Sequence, residues 1–139
     1  MLLVPYAGRR PDRLGENVLV AWNGSREAGR AVQDALPLMS ASSVVTVLLV
    51  DPEEDADIDL AEDLVAHLGR HGLHPRTQVI RHDLGTIAVS DTIFTQVVEL
   101  DADLLVMGAY SHSRFREIIL GGVTRDILRD MNVPILMAH

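Results

Sequence analysis

The sequence predicts an α/β domain: a doubly wound, open, five-stranded parallel sheet of order 3-2-1-4-5 with helices on both faces. Three observations carry this. Apolar runs rich in β-formers alternate along the chain with amphipathic stretches, the pattern of a parallel sheet covered by crossover helices. One of the runs, VVTVLLV at residues 44–50, is continuously apolar and largely β-branched, as a strand buried on both faces requires. A chain of 139 residues with 47% hydrophobic residues is enough for one domain with a single core.

The elements follow in order. NVLVAW at residues 17–22 is the first strand. NGS then makes a turn with Ser25 as helix cap, and Ala28, Ala31, Val32, Ala35, Leu36 and Met39 recur at helical spacing. The run at 44–50 is the second strand and belongs in the middle of the sheet. Residues 51–63 hold eight acidic side chains, and the helix around them carries Leu60, Leu64, Val65 and Leu68 on one face and stops at Gly72. TQVIRHD at 77–83 is a third strand, polar enough for a sheet edge. Residues 91–100 form a third helix with Ile93, Phe94, Val97, Val98 and Leu100 inward. DLLVMGA at 103–109 is the fourth strand, GVTRDILRDM at 122–131 the fourth helix, and VPILMA at 133–138 the fifth strand.

Residues 1–14 stand ahead of a domain expected to span 15–139. Leu2 to Tyr6 reads either as an ordinary N-terminal extension or linker, or as the last strand of a preceding repeat. At the other end, the fifth strand is an apolar edge, which invites pairing with another chain. A homodimer through that C-terminal edge, or pairing with a tandem repeat, is the expected remedy.

Charge and composition remove several function classes. The net charge of −8 does not suit nucleic-acid binding, which needs basic side chains to neutralise phosphates. All twelve basic residues are arginine, so chemistry that depends on a lysine amine is excluded, including Schiff bases, the P-loop lysine and the lysine of a phosphorelay receiver. The absence of cysteine removes disulfides and thiolate chemistry and fits a reducing compartment. No apolar run approaches a membrane span and no signal peptide is visible, so a cytoplasmic protein without a membrane partner is expected.

The stretch GAYSHSRFREIILGGVT, residues 108–124, follows the fourth strand. Because right-handed crossovers must reverse direction once to cover both faces, ligands in such sheets bind at the reversal, beyond the carboxyl ends of the strands. For the order 3-2-1-4-5 that point exposes WNGS and GAYSHSR. Gly108, Gly121, Gly122 and Thr124 could offer backbone amides to an anion at a helix N-terminus, with Arg114 and Arg116 adding charge-assisted bonds. The alternative is a crossover whose glycines serve packing and whose arginines are solvated. Spacing alone leaves both open. Asp55, Asp57 and Asp59 alternate like a calcium loop, but Leu60 and Ala66 stand where its glycine and bidentate glutamate belong. His67 and His71 lie four apart without a third ligand. Ser25, His82 and Asp83 suggest a triad, yet the nucleophile-elbow pattern is missing. Flavin binding would rest on Trp22 and Tyr110 for stacking.

The glycine-rich stretch resembles the signature of the universal stress protein family: glycine, two residues, glycine, nine residues, then glycine and serine or threonine. Gly108 and Gly121 fit, the nine residues 112–120 match in length, and Thr124 matches a hydroxyl often found two positions on. Ser111 replaces the second glycine and Gly122 the serine or threonine. VLVAWNGS and the terminal VPIL also fall where that family puts them, so the resemblance covers residues 17–138.

It implies a fold of the adenine nucleotide alpha hydrolase type and an ATP site, with or without magnesium. By that resemblance Asn23 stands for the aspartate that contacts adenosine, Val50 offers backbone to adenine, and Gly108, Ser111, Arg114, Gly121, Gly122 and Thr124 form the phosphate loop. The acidic segment would repel a triphosphate unless a divalent ion intervenes. The function so implied is a stress-response domain acting as a dimeric, nucleotide-binding sensor or interaction module, not a dedicated enzyme. The alternative is a nucleotide-free module working only through dimerisation and protein partners.

Overall fold

A computed structural model describes residues 1–6, 12, 14–82, 87–109 and 122–139. The sheet is built from β1 (Leu2–Leu3), β2 (Asn17–Ala21), β3 (Val44–Val50), β4 (His74–Ile80), β5 (Leu104–Gly108) and β6 (Ile135–Ala138), in the order β1-β6-β5-β2-β3-β4. The helices are α1 (Arg26–Ala35), α2 (Asp55–Arg70), α3 (Val89–Glu99) and α4 (Gly122–Asp130).

Five of these strands are parallel and reproduce the expected order 3-2-1-4-5. The sheet nevertheless has six strands, not five, because β1 pairs antiparallel with β6, Leu2 opposite Leu136 and Leu3 opposite Ile135. A two-residue run lies below what apolar periodicity can resolve, and only the contact with β6 makes it a strand.

Two cores flank the sheet, set by the alternation of side chains along each strand. Val18, Val20, Val45, Val47 and Val106 face one side, where Ala31, Val32 and Ala35 of α1 and Ala61, Leu64 and Leu68 of α2 cover them. Leu19, Leu48, Leu105, Met107, Ile135 and Met137 face the other, against Ile93 and Val97 of α3 and Ile127 of α4. Helix α1 starts at Ser25, whose Oγ accepts from the Ala28 amide at 3.1 Å. It tightens into a single 3-10 turn over Leu36–Leu38, where Pro37 cannot continue an α-helix.

Several boundaries and faces differ from expectation. The third parallel strand runs over His74–Ile80 rather than 77–83: Pro75 is tolerated because β4 is the sheet edge, and the ladder ends where the Asp51 amide bonds the Ile80 carbonyl at 2.8 Å. Helix α2 begins at Asp55 inside the acidic run, its first turn favourably charged by Asp55 and Asp57. Its buried line is Ala61, Leu64 and Leu68, so Leu60 points outward and is 47% exposed. On α3, Val98 is likewise outward, and Gln96 takes an inward position, bonding Gln78 of β4 at 2.9 Å and Glu99 at 2.8 Å. The polar partner offered by β4 decides that face.

At the amino ends of the strands, the Asp103 carboxylate accepts from three successive amides, Gly15 at 2.7 Å, Glu16 at 2.9 Å and Asn17 at 3.0 Å. This fixes the entry of the chain into β2 against the start of β5. Gly15 has φ +87°, and a Cβ there would lie 2.0 Å from the Leu38 carbonyl oxygen, so the tight entry depends on glycine.

Candidate functional site

The crossovers change faces between β2 and β5, and the strand register brings the candidate residues to one level there. Ala21 lies opposite both Leu48 and Met107. Two residues further along each strand stand Asn23, Val50 and Ala109, with Gly108 immediately before the last. Helix α1 leaves this edge toward one face and α4 toward the other, so the crevice lies between their N-termini, where the helix dipoles favour an anion.

The side chains there have definite local roles. Asn23 is exposed, and its Oδ1 accepts from the Ser25 amide at 3.1 Å, closing the turn into α1. Gly24, at φ +72°, completes that turn; a Cβ on it would touch Leu60 Cδ1 at 3.4 Å, which places the start of α2 beside it. Val50 is half-buried against the α3/α4 core. Gly108 sits under α1: a Cβ would lie 2.6 Å from the Ala28 nitrogen and 2.9 Å from Glu27. Its smallness is therefore required by the protein's own helix. Gly122, at the head of α4, is the opposite case: no atom of the described residues lies within 4 Å of where its Cβ would be. Thr124, in the first turn of α4, is buried. Asn23, Val50, Gly108, Gly122 and Thr124 are thus all placed at the carboxyl edge of the sheet, whereas Ser111, Arg114 and Gly121, with Tyr110, His112 and Arg116, lie outside the described residues.

A second polar constellation flanks the crevice at the ends of β3 and β4. Asp51, in the left-handed region at φ +47°, accepts from the His82 amide at 2.6 Å and meets His82 Nδ1 at 2.8 Å. His82 Nε2 lies 3.3 Å from Thr92 Oγ1 on α3. Arg81 bonds the Pro52 carbonyl at 2.9 Å. The hydrogen bond from His82 holds the Asp51 carboxyl below its ordinary value, with burial opposing and the His82 and Arg81 charges adding to the effect.

Of the residues considered from sequence for a triad, His82 is paired with Asp51, the Ser25 hydroxyl is occupied in capping α1, and Asp83 lies outside the described residues. The signal that could have found the pair is positional: Asp51 and His82 each follow an adjacent parallel strand, whose last paired residues are Val50 and Ile80.

The alternating aspartates Asp55, Asp57 and Asp59 lie on α2, where residues two apart point to different sides of the helix. Among the described residues no group of three or more His, Cys, Asp or Glu side chains is arranged to hold a metal ion. His67 and His71 stack edge to face with ring centroids 4.7 Å apart, and Gln33 Nε2 sits 3.1 Å from His67 Nε2. Trp22 packs against the α1/α2 core, and its buried indole N–H has no hydrogen-bond partner among the described residues. No helix among the described residues is long and apolar enough to cross a membrane.

Comparison with known proteins agrees with this architecture. A universal stress protein from Synechocystis sp. is 29% identical over 130 residues, covering 86% of this chain and 41% of its own length. The chain thus spans less than half of that curated relative. Among solved structures, a universal stress protein in complex with cAMP superposes with a TM-score of 0.69 at 22% identity, covering 91% of this chain and 98% of the other. A universal stress protein from Archaeoglobus fulgidus gives a TM-score of 0.68 at 21% identity over 90% of this chain and 44% of the other. At such identities the likeness is one of fold. The model of the universal stress protein family matches residues 15–139, and the chain belongs to that family.

Proposed function

We propose that this domain binds an adenine nucleotide in the crevice between β2 and β5 and acts as a ligand-responsive interaction module rather than a dedicated enzyme. The base would lie toward Val50 and Asn23 and the phosphates toward the head of α4. The observation that carries the reading is the position of Gly122, at a helix N-terminus on the carboxyl edge beside the topological switch point, where no atom of the described residues lies within 4 Å of an added Cβ. The cAMP complex of a structural relative supports the choice of an adenine nucleotide. ATP is the expected ligand. Magnesium would accompany it, because the acidic run at 51–63 begins beside the crevice and a bare triphosphate would be repelled.

A second reading, a nucleotide-free module, is favoured by two local facts. Gly108 is explained by its contact with α1, and the Asn23 amide oxygen is used in the turn before that helix. Calorimetric titration of nucleotide-stripped protein with ATP and magnesium, and separately with cAMP, decides between them. Gly122→Glu is the control, because among the described residues nothing lies within 4 Å of the added Cβ, while the side chain brings bulk and negative charge to the phosphate end. Micromolar binding that the variant weakens at least tenfold is expected. No heat at millimolar nucleotide would leave the nucleotide-free reading.

A further inference from the structure

We infer that Asp51 and His82 are positioning residues for base recognition: together they hold the Val50 carbonyl facing the crevice, and so select a purine that carries an exocyclic 6-amino group. This rests on the reading above that the base lies toward Val50. Strand β3 turns its backbone groups alternately to its two neighbours. The Leu48 carbonyl faces β2, where it accepts from the Trp22 amide at 2.9 Å, and the Asp51 amide faces the other way, donating to the Ile80 carbonyl of β4 at 2.8 Å. The Val50–Asp51 peptide is trans, so the Val50 carbonyl points opposite to the Asp51 amide, away from β4 and toward the β2 side. Strand β2 has ended there at Ala21, and its chain turns at Asn23 and Gly24 into α1. The Val50 carbonyl therefore faces the carboxyl edge, where the crevice opens.

What holds that carbonyl is the residue after it. Asp51 takes φ +47°, a left-handed conformation that persists only where its surroundings impose it. Here both carboxylate oxygens are engaged: Oδ1 accepts from the His82 amide at 2.6 Å, and Oδ2 lies 2.8 Å from His82 Nδ1. The imidazole is braced in turn, with Nε2 3.3 Å from the Thr92 hydroxyl of α3, and Arg81 donates to the Pro52 carbonyl at 2.9 Å. Residues 51 and 52 are thus latched to residues 81 and 82 across the ends of adjacent strands. Because φ of Asp51 sets the angle between its anchored side chain and the Val50–Asp51 peptide plane, the latch fixes the direction of the Val50 carbonyl without touching a ligand. A fixed carbonyl accepts from an amino group, but an oxygen at the same ring position faces it as a second acceptor. Sites built around such a hydrogen bond discriminate strongly against the mismatched group. A carbonyl free to swing would lose that preference and leave the phosphate end unaffected.

Calorimetric titration with ATP and with inosine triphosphate, which carries an oxygen in place of the 6-amino group, tests this in the presence of magnesium. The native chain is expected to prefer ATP by at least about tenfold. Asp51→Gly, which accepts the left-handed backbone but has no carboxylate, and His82→Ala should bring that ratio to within about threefold of unity, while binding inosine triphosphate within about threefold of the native affinity. Asp51→Asn keeps an acceptor for the His82 amide and tolerates the same φ, so it should retain most of the preference. A native chain that binds both nucleotides equally overturns the inference and leaves the nucleotide reading standing. So does a folded Asp51→Gly or His82→Ala chain that keeps the native ratio, or one that weakens both nucleotides alike, as a merely structural role would. Binding of neither nucleotide by the native chain overturns the nucleotide reading and the inference with it. Amide exchange in the native chain reads the latch without any variant: slow exchange at the His82 amide supports it, and exchange at the rate of an unbonded loop overturns it.

Discussion

A methyl group on Gly108 would lie 2.6 Å from the Ala28 backbone nitrogen, whereas one on Gly122 would meet nothing within 4 Å among the described residues. Both residues belong to the same glycine-rich signature, yet only the first is pressed against a neighbouring helix. Gly108→Ala is therefore expected to cost about 1–3 kcal/mol, since α1 must shift to admit it. Gly122→Ala should be neutral or stabilise by about 0.4–1 kcal/mol through the unfolded chain. Urea unfolding of the two variants measures the contrast. The Asp51 and His82 pair makes a pH prediction of definite sign. Because the folded protein holds the Asp51 carboxyl below its ordinary value of 3.8, its contribution is present above that value and lost as pH falls through the lower folded value. Asp51→Asn keeps a residue type that tolerates φ +47°. It should be less stable than the native chain by about 1 kcal/mol near neutral pH. Stability curves from neutral to strongly acidic pH should show that difference shrinking toward the acid end.

At the level of elements, what decides a helix face is the sheet strand beneath it. On α2 the line Ala61, Leu64 and Leu68 reaches the core, and Leu60, one position off that line, projects beside the Gly24 turn. Apolar spacing placed Leu60 with Leu64 and Leu68, because Ala61 is a weaker signal than leucine although it fits better against the sheet. Leu68→Ala is expected to destabilise by about 2–5 kcal/mol and Leu60→Ala by no more than about 0.5 kcal/mol, as thermal and denaturant unfolding would show. The same logic explains α3: Gln96 turns inward because Gln78 of β4 offers it a partner, and Val98 is left outside. Strand β4 was legible as an edge from its polarity, but it starts at His74 rather than Thr77, and Pro75 is tolerated within it because an edge strand has a side without ladder bonds.

Across the whole molecule, the doubly wound order follows from local pattern and handedness. Five apolar runs separated by four amphipathic stretches, joined by right-handed crossovers, leave few ways to cover both faces, and the observed parallel strands take the expected one. The same rule placed the crevice between β2 and β5 and exposed WNGS and GAYSHSR there, whereas Val50 entered only through the resemblance to the universal stress protein family. The strand order and the place of the crevice need only the periodicity of side chains along the chain, which a sequence carries in full. Other features depend on which atoms meet across long separations, and they emerge only in the folded chain: the contact that forces glycine at 108, the Asp103 carboxylate held by the amides of residues 15–17, the link of Asp51 to His82 and Thr92, and the N-terminal strand laid on β6. None of these has a period, so hydrophobic pattern cannot announce them. Tertiary packing decides them, because each is a match between one group and a single distant partner.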